Sequence, residues 1–188
     1  MTNQLILVGG GVRSGKSTFA LARARSLGAR RVFVATAQAF DDEMRDRIAL
    51  HRNERGDEFR TIEEPLAVAQ ALAALDGVDV VLVDCLTLWL SNLLLREMST
   101  LQIFERVDEL VAVLAQRRFH SVIVTNEVGM GIVPESALGR AFRDIAGIAH
   151  QRIARHADEI DVAILGTVLR IKPAPVQIQE GEARETSK

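Results

Sequence analysis

Residues 10 to 17 read Gly10-Gly11-Val12-Arg13-Ser14-Gly15-Lys16-Ser17. This is the G-x-x-x-x-G-K-[ST] spacing of a phosphate-binding loop. Its glycines let successive backbone N–H groups turn inward onto phosphate oxygens. A helix that follows adds the partial positive charge of its N-terminus at the same place. Lys16 then reaches the β- and γ-phosphates of a nucleoside triphosphate, and the Ser17 hydroxyl is offered to Mg²⁺. The flanks decide between this reading and an idle glycine turn. Leu5-Ile6-Leu7-Val8 before the loop reads as a buried strand, and Thr18 to Ala24 after it as a helix.

Asp84 closes the apolar run Val80-Val81-Leu82-Val83. An acid at the end of a buried strand, in a chain with this loop, fits the carboxylate on the Mg²⁺ side of the phosphates. The other reading is an aspartate that caps the next helix.

Around His51 the chain reads Arg47-Ile48-Ala49-Leu50-His51-Arg52-Asn53-Glu54-Arg55. On a helix, Arg47 lies one turn before His51 on the same face. Arginines crowding an imidazole disfavour its protonated form. A neutral imidazole is a nucleophile, and guanidinium groups grip phosphates bidentately. That is the equipment for a phosphoryl- or nucleotidyl-histidine. Composition alone favours the solvated end of a surface helix.

The stretch Thr125-Asn126-Glu127-Val128-Gly129-Met130-Gly131-Ile132-Val133-Pro134-Glu135-Ser136 is polar and glycine-rich. It follows a strand-like run, where ligands of open α/β sheets bind. Its length and glycines favour a ligand loop over a plain connection with Ser136 as N-cap. His120, His150 and His156 have no metal-ligand spacing and read as structural.

These residues need a scaffold. Strands are expected at 5–8, 31–36, 80–84, 121–125 and 161–165, with a short edge strand at 168–171 after a turn at Gly166. Near-continuous β-branched runs suit a mainly parallel sheet covered on both faces. Helices are expected between them: 18–27 capped by Gly28, 41–52, 65–75 opened by Pro65, 102–117, and 136–156. The fold class is therefore α/β, a mainly parallel sheet flanked by helices. Residues 1–172 form a single nucleotide-binding catalytic domain, and 173–188 a polar, flexible tail.

The chain has 188 residues, 48% hydrophobic and 26% charged, with a formal net charge of −2, so nothing suggests a polyanion-binding surface and no nucleic-acid partner is expected, while local basic pockets remain allowed. One cysteine, Cys85, excludes an intrachain disulfide and fits a reducing cytoplasm; it reads as a small buried hydrophobe. The N-terminus reads as structure rather than a signal. The stretch Leu86–Leu95 is too short to span a bilayer. Trp89 within it reads as core or as part of a subunit contact.

With these pieces in view, the chain resembles the bifunctional adenosylcobinamide kinase/adenosylcobinamide-phosphate guanylyltransferase family of cobalamin biosynthesis. The resemblance rests on residues 10–17, Ala35-Thr36-Ala37, Asp41 to Met44 leading to His51-Arg52, Arg60 to Glu63, Thr125 to Pro134, Phe142 to Gly147 and Ile171-Lys172. Phe59 stands where family members often carry tryptophan. The resemblance implies a P-loop, RecA-like fold. It implies phosphorylation of adenosylcobinamide by ATP or GTP. It then implies transfer of GMP from GTP to the resulting phosphate through a guanylylated His51. It assigns catalysis to His51 and Lys16. Nucleotide contacts go to Gly10, Gly11, Val12, Arg13, Ser14, Gly15, Lys16, Ser17, Ala35, Thr36, Ala37, Arg52, Asn53, Glu54, Arg55, Glu63 and Asp84, with Mg²⁺ between Ser17 and Asp84. A cytoplasmic homo-oligomer, a trimer, is also implied, with Leu86–Leu95 serving a subunit contact or the corrinoid. Two rivals are a P-loop kinase acting on another alcohol and a nucleotide-dependent switch. Neither needs a nucleophile at position 51.

Overall fold

Each central strand buries alternate residues on opposite faces of one sheet. In the computed structural model, residues 2–39, 42, 45, 56–174 and 176–179 are described. The strands are β1 (Leu5–Gly10), β2 (Arg31–Ala35), β3 (Phe59–Glu63), β4 (Val80–Asp84), β5 (His120–Asn126), β6 (Glu159–Ile164), β7 (Thr167–Lys172) and β8 (Gln177–Gln179). They form one eight-stranded sheet in the order β3-β2-β4-β5-β1-β6-β7-β8. Pairing is parallel from β3 through β6 and antiparallel for β6–β7 and β7–β8.

The helices are α1 (Lys16–Arg25), α2 (Val68–Ala73), α3 (Leu86–Leu95), α4 (Thr100–Ala115) and α5 (Ala137–His156). On one face, Ile6, Val8, Phe33, Phe59, Val80, Leu82, Val122 and Val124 pack with Ala20, Leu21 and Ala24 of α1. On the other, Leu5, Leu7, Val32, Val34, Val81, Val83 and Ile123 pack with α2, α3, α4 and α5. The period-2 alternation of side chains thus assigns every strand residue to a face.

Several element ends differ from the sequence reading. Helix α1 ends at Arg25 with Ser26 as C-cap, so Gly28 is not its cap. Position 28 instead admits Asp79, whose Oδ2 accepts the N–H groups of Ala29 and Arg30. Pro65 does not open α2. Glu64 Oε1 accepts from Leu66 N (2.9 Å) and Ala67 N (2.7 Å), and the helix begins after that turn. Helix α4 starts earlier than expected because Ser99 and Gln102 form a capping box. Strand β3 went unread: Phe-Arg-Thr-Ile-Glu alternates at a sheet edge, and only Phe59 in it is buried.

The sheet also runs past Lys172. Strand β8 pairs with β7 at Leu169↔Ile178, within the segment expected to be a free tail. Strand β7 would otherwise leave a row of open backbone groups there. Of the helix expected at 41–52, only Asp42 and Arg45 are described; both are helical and their side chains form an ion pair.

Beneath α1 a charged cluster is sealed in. Arg23 bonds Glu159 through Nε and Nη2, each at 3.0 Å. Arg170 bonds Glu159 (2.7 Å) and Asp161 (3.1 Å). Asp161 is 0% exposed. Burial, with the Glu159 carboxylate beside it, pushes Asp161 up to about 6. Burial also raises Glu159, but Arg23 and Arg170 outweigh it and hold that carboxyl below its ordinary value. Among the described residues no helix is long and apolar enough to cross a membrane.

Candidate functional site

Three of the singled-out residues end neighbouring strands. In register, Ala35 stands beside Glu63 of β3 on one side and Asp84 of β4 on the other. Strand alternation puts all three on the α1 face, since Phe59, Phe33, Val80 and Leu82 lie there. Strand β5 separates β4 from β1, about 4.8 Å per step. Gly10, where the glycine loop begins, pairs with Asn126 of β5.

The loop is drawn tight by its own backbone. Ser14 N donates to the Gly11 carbonyl (3.4 Å), and Gly15 (φ 92°) is the N-cap of α1. No side chain caps that helix and its first turn holds no acid. Its leading N–H groups suit an anion. A Cβ on Gly10 would lie 2.6 Å from both the Ala163 carbonyl oxygen and Ser14 Oγ, so the approach admits only glycine. Ser14 Oγ is buried and has no hydrogen-bond partner among the described residues. From the far side, Gly166 N of the β6–β7 hairpin donates to the Ser14 carbonyl (3.2 Å). Lys16, 9% exposed, donates from Nζ to the Gly11 carbonyl (3.1 Å). Ser17 is half-buried one residue into the helix, and Val12 and Arg13 are exposed at the loop tip.

Thr36 and Asp84 are joined by backbone. Thr36 N donates to the Asp84 carbonyl oxygen (3.2 Å). Thr36 is 0% exposed and its hydroxyl is bonded to Cys85 on both sides, so the side chain itself is closed to a ligand. Ala37 is half-buried. Cys85 is buried as expected and also N-caps α3, its Sγ accepting from Leu88 N (3.5 Å). Burial first, then the Asp84 charge, pushes its thiol up to about 11, which leaves it inert.

Around this edge lie polar side chains the sequence did not single out. Thr87 Oγ1 takes the Asn126 amide (2.9 Å) and touches Cys85 Sγ (3.1 Å). Asn92 donates to the carbonyls of Thr36 (2.8 Å) and Pro65 (3.0 Å). His150 Nε2 meets Thr125 Oγ1 at 2.6 Å. Burial lowers the His150 pKa, opposed by the Glu127 charge, so the ring is held neutral. It therefore braces the end of β5 rather than standing idle on its helix. His120 is structural: its Nδ1 accepts from Gln4 N (3.1 Å) at the opposite, amino end of the strands.

The loop after β5 is organised by Glu127. Its carboxylate accepts from Gly129 N (2.7 Å) and Met130 N (2.9 Å), while Arg143 donates to the Gly129 carbonyl (2.6 Å). The tip beyond it presents Met130 and Ile132, 91% and 97% exposed. Trp89 is core, not surface: it is 1% exposed and donates from Nε1 to the Leu66 carbonyl (2.9 Å). Leu86, Leu90 and Leu93 are buried beside it, while Leu95 at the end of α3 is exposed. His51, Arg52, Asn53, Glu54 and Arg55 lie outside the described residues. Among the described residues, no three His, Cys, Asp or Glu side chains gather as a protein cage for a metal.

The arrangement can bind a polyphosphate, with oxygen donors for a hard cation at its side. Residues 6–171 match the family model described as cobinamide kinase / cobinamide phosphate guanyltransferase. The chain is 41% identical over 171 residues to the bifunctional adenosylcobalamin biosynthesis protein CobP of Pseudomonas aeruginosa, covering 90% of this chain and 98% of that one. It is 38% identical over 181 residues to the bifunctional adenosylcobalamin biosynthesis protein CobU of Escherichia coli, covering 89% and 99%. Among solved structures it resembles the flagellar accessory protein FlaH of Methanocaldococcus jannaschii (TM-score 0.51, 13% identity, 96% of this chain and 79% of that chain). It likewise resembles the RadB recombinase (TM-score 0.51, 15% identity, 90% and 80%). These likenesses show the RecA-like P-loop fold.

Proposed function

This chain belongs to the cobinamide kinase / cobinamide phosphate guanyltransferase family, and from that premise we propose that it catalyses both reactions in adenosylcobalamin biosynthesis. In the first, the γ-phosphoryl group of ATP or GTP passes to the aminopropanol hydroxyl of adenosylcobinamide, releasing the nucleoside diphosphate and a proton. In the second, GMP from GTP joins that phosphate, giving adenosylcobinamide-GDP and pyrophosphate. The observation that carries this reading is the glycine cradle on α1, at the same carboxyl end of the strands and on the same face of the sheet as Asp84, inside the matched residues 6–171.

The cradle N–H groups and Lys16 hold the triphosphate by charge-assisted bonds. Ala35, Thr36, Ala37 and Glu63 border the site from β2 and β3. The Ser17 hydroxyl and Asp84 carboxylate are hard oxygen donors of the kind Mg²⁺ takes alongside substrate phosphates. When bound, that ion neutralises phosphate charge and orients the leaving group.

For guanylyl transfer, an imidazole nitrogen of His51 attacks the α-phosphorus and pyrophosphate leaves. The phosphate of adenosylcobinamide phosphate then displaces the imidazole and regenerates it. Each step exchanges one P–N or P–O bond for another. Arg52 and Arg55, with the segment Asn53-Glu54 between them, spread the charge of each transition state. The sequence resemblance also supports a homo-trimer working in the cytoplasm.

GTP carrying a radioactive α-phosphate tests this. The protein is incubated with it and Mg²⁺, then denatured. Label that is acid-labile, base-stable and absent from His51→Ala supports the covalent route, and the kinase step should survive in that variant. A His51→Ala protein that still makes adenosylcobinamide-GDP at the normal rate would end it.

A further inference from the structure

We infer that Thr36 is a positioning residue for Asp84, gripping the peptide that follows it instead of contacting the nucleotide with its side chain. The sheet ladder stops at Asp84: its last register partners are Ala35 in β2 and Val124 in β5. A carboxylate on the final rung of a strand is where the backbone is least constrained. Thr36 carries the pairing one step further. Its N–H takes the Asp84 carbonyl (3.2 Å), and its Oγ1 accepts the Cys85 N–H (2.8 Å). The same hydroxyl donates to the Cys85 carbonyl (2.8 Å). Both polar groups of the Asp84–Cys85 peptide therefore end on one residue.

Thr36 is itself anchored. Its carbonyl takes the Asn92 amide (2.8 Å) from α3, and Asn92 is 5% exposed. With Thr36 at 0% exposure, no part of its side chain is available to a ligand. A valine in its place keeps the shape and removes the hydroxyl. The Cys85 N–H is then left buried without its partner, while the Cys85 carbonyl keeps its bond from Trp89 N (3.2 Å). The lost bond fixes the N–H side of the peptide that follows Asp84, while the bond from Thr36 N to the Asp84 carbonyl remains, so the variant loosens one of the two ties, and preorganised electrostatics depend on such support.

The inference rests on Asp84 serving the Mg²⁺ side of the site, and the experiment separates the two. A fluorescent GTP analogue is bound to wild type, Thr36→Val, Thr36→Ser, Asp84→Asn and the Val/Asn double variant, first in EDTA and then across a Mg²⁺ titration. Thr36→Val should raise the Mg²⁺ midpoint about tenfold and leave affinity in EDTA within about twofold, with Thr36→Ser close to wild type. The double variant should be no worse than Asp84→Asn alone, because both act through one carboxylate. If Asp84→Asn shifts the midpoint but Thr36→Val does not, or if the two shifts add, the positioning role is wrong. If Asp84→Asn leaves the midpoint unmoved, the Mg²⁺ reading of Asp84 fails and takes this inference with it. Urea melts establish that each variant is folded, and Thr36→Ala, which also lacks the hydroxyl, replaces Thr36→Val should the latter not fold.

Discussion

Lys16 donates from its ammonium group to the Gly11 carbonyl oxygen, 3.1 Å away, so the loop is closed by its own lysine. A phosphate entering the cradle competes for that ammonium with a neutral carbonyl and, being charged, wins. Lys16→Ala should lower GTP affinity by about 10- to 100-fold, as loss of a charge-assisted bond of about 1.5–3 kcal/mol implies. Both reactions should fall with it. The urea midpoint should barely move. Calorimetric titration beside a urea melt tests this; a variant that binds GTP like wild type would remove Lys16 from the phosphate site.

Trp89 should report on the core alone. Trp89→Phe leaves the Leu66 carbonyl without its donor, a cost of about 1–3 kcal/mol. Trp89→Ala adds a cavity and should cost about 3–5 kcal/mol. Equilibrium unfolding measures both. If Trp89→Ala dissociated an oligomer while the monomer's stability held, a subunit role would replace the core role.

Asp161 sets a pH dependence. Its folded pKa of about 6 lies above the ordinary carboxylate value. The native state therefore holds a proton that the unfolded chain releases. That contribution is complete below about pH 4 and is lost as pH rises through 6. Glu159, Arg23 and Arg170 face the group, and the lowered Glu159 works in the opposite sense, losing stability as pH falls. Asp161→Asn mimics the protonated form at every pH. Its urea midpoint should match wild type near pH 4 and gain on it up to pH 7, then run parallel. A constant gap across that range would show that Asp161 is charged throughout.

Strand β4 was readable because Val80 to Val83 is an unbroken β-branched and leucine run, and Asp84 stands out at its end. Strand β3 was hidden because an edge strand buries one residue in five here, and the rest read as surface. The glycine loop was legible as spacing. Thr36 stood out only through the family resemblance, and its role as a clamp was not legible, since its partner Cys85 lies 49 positions away. His150 was hidden for the same reason: Thr125 is 25 positions away, and nothing local marks a helical histidine as facing a strand end. Trp89 stayed ambiguous because a leucine-rich helix looks alike against a core and against a partner. Pro65 and Gly28 misled because a turn held by Glu64 precedes α2, and because Gly28 makes room for Asp79 beyond the end of α1.

Strand β1 precedes its neighbours in the chain, yet it is central. Leu5 to Gly10 pair with Ser121 to Asn126 on one side, and Ile6 to Gly10 with Glu159 to Ala163 on the other. The loop that β1 launches is held at Ser14 by Gly166. A growing chain therefore carries its phosphate loop unfinished until residue 166 has been made. The loop is complete only once the β6–β7 turn has left the ribosome, so a chain cut short before that turn carries the motif without the wall that braces it.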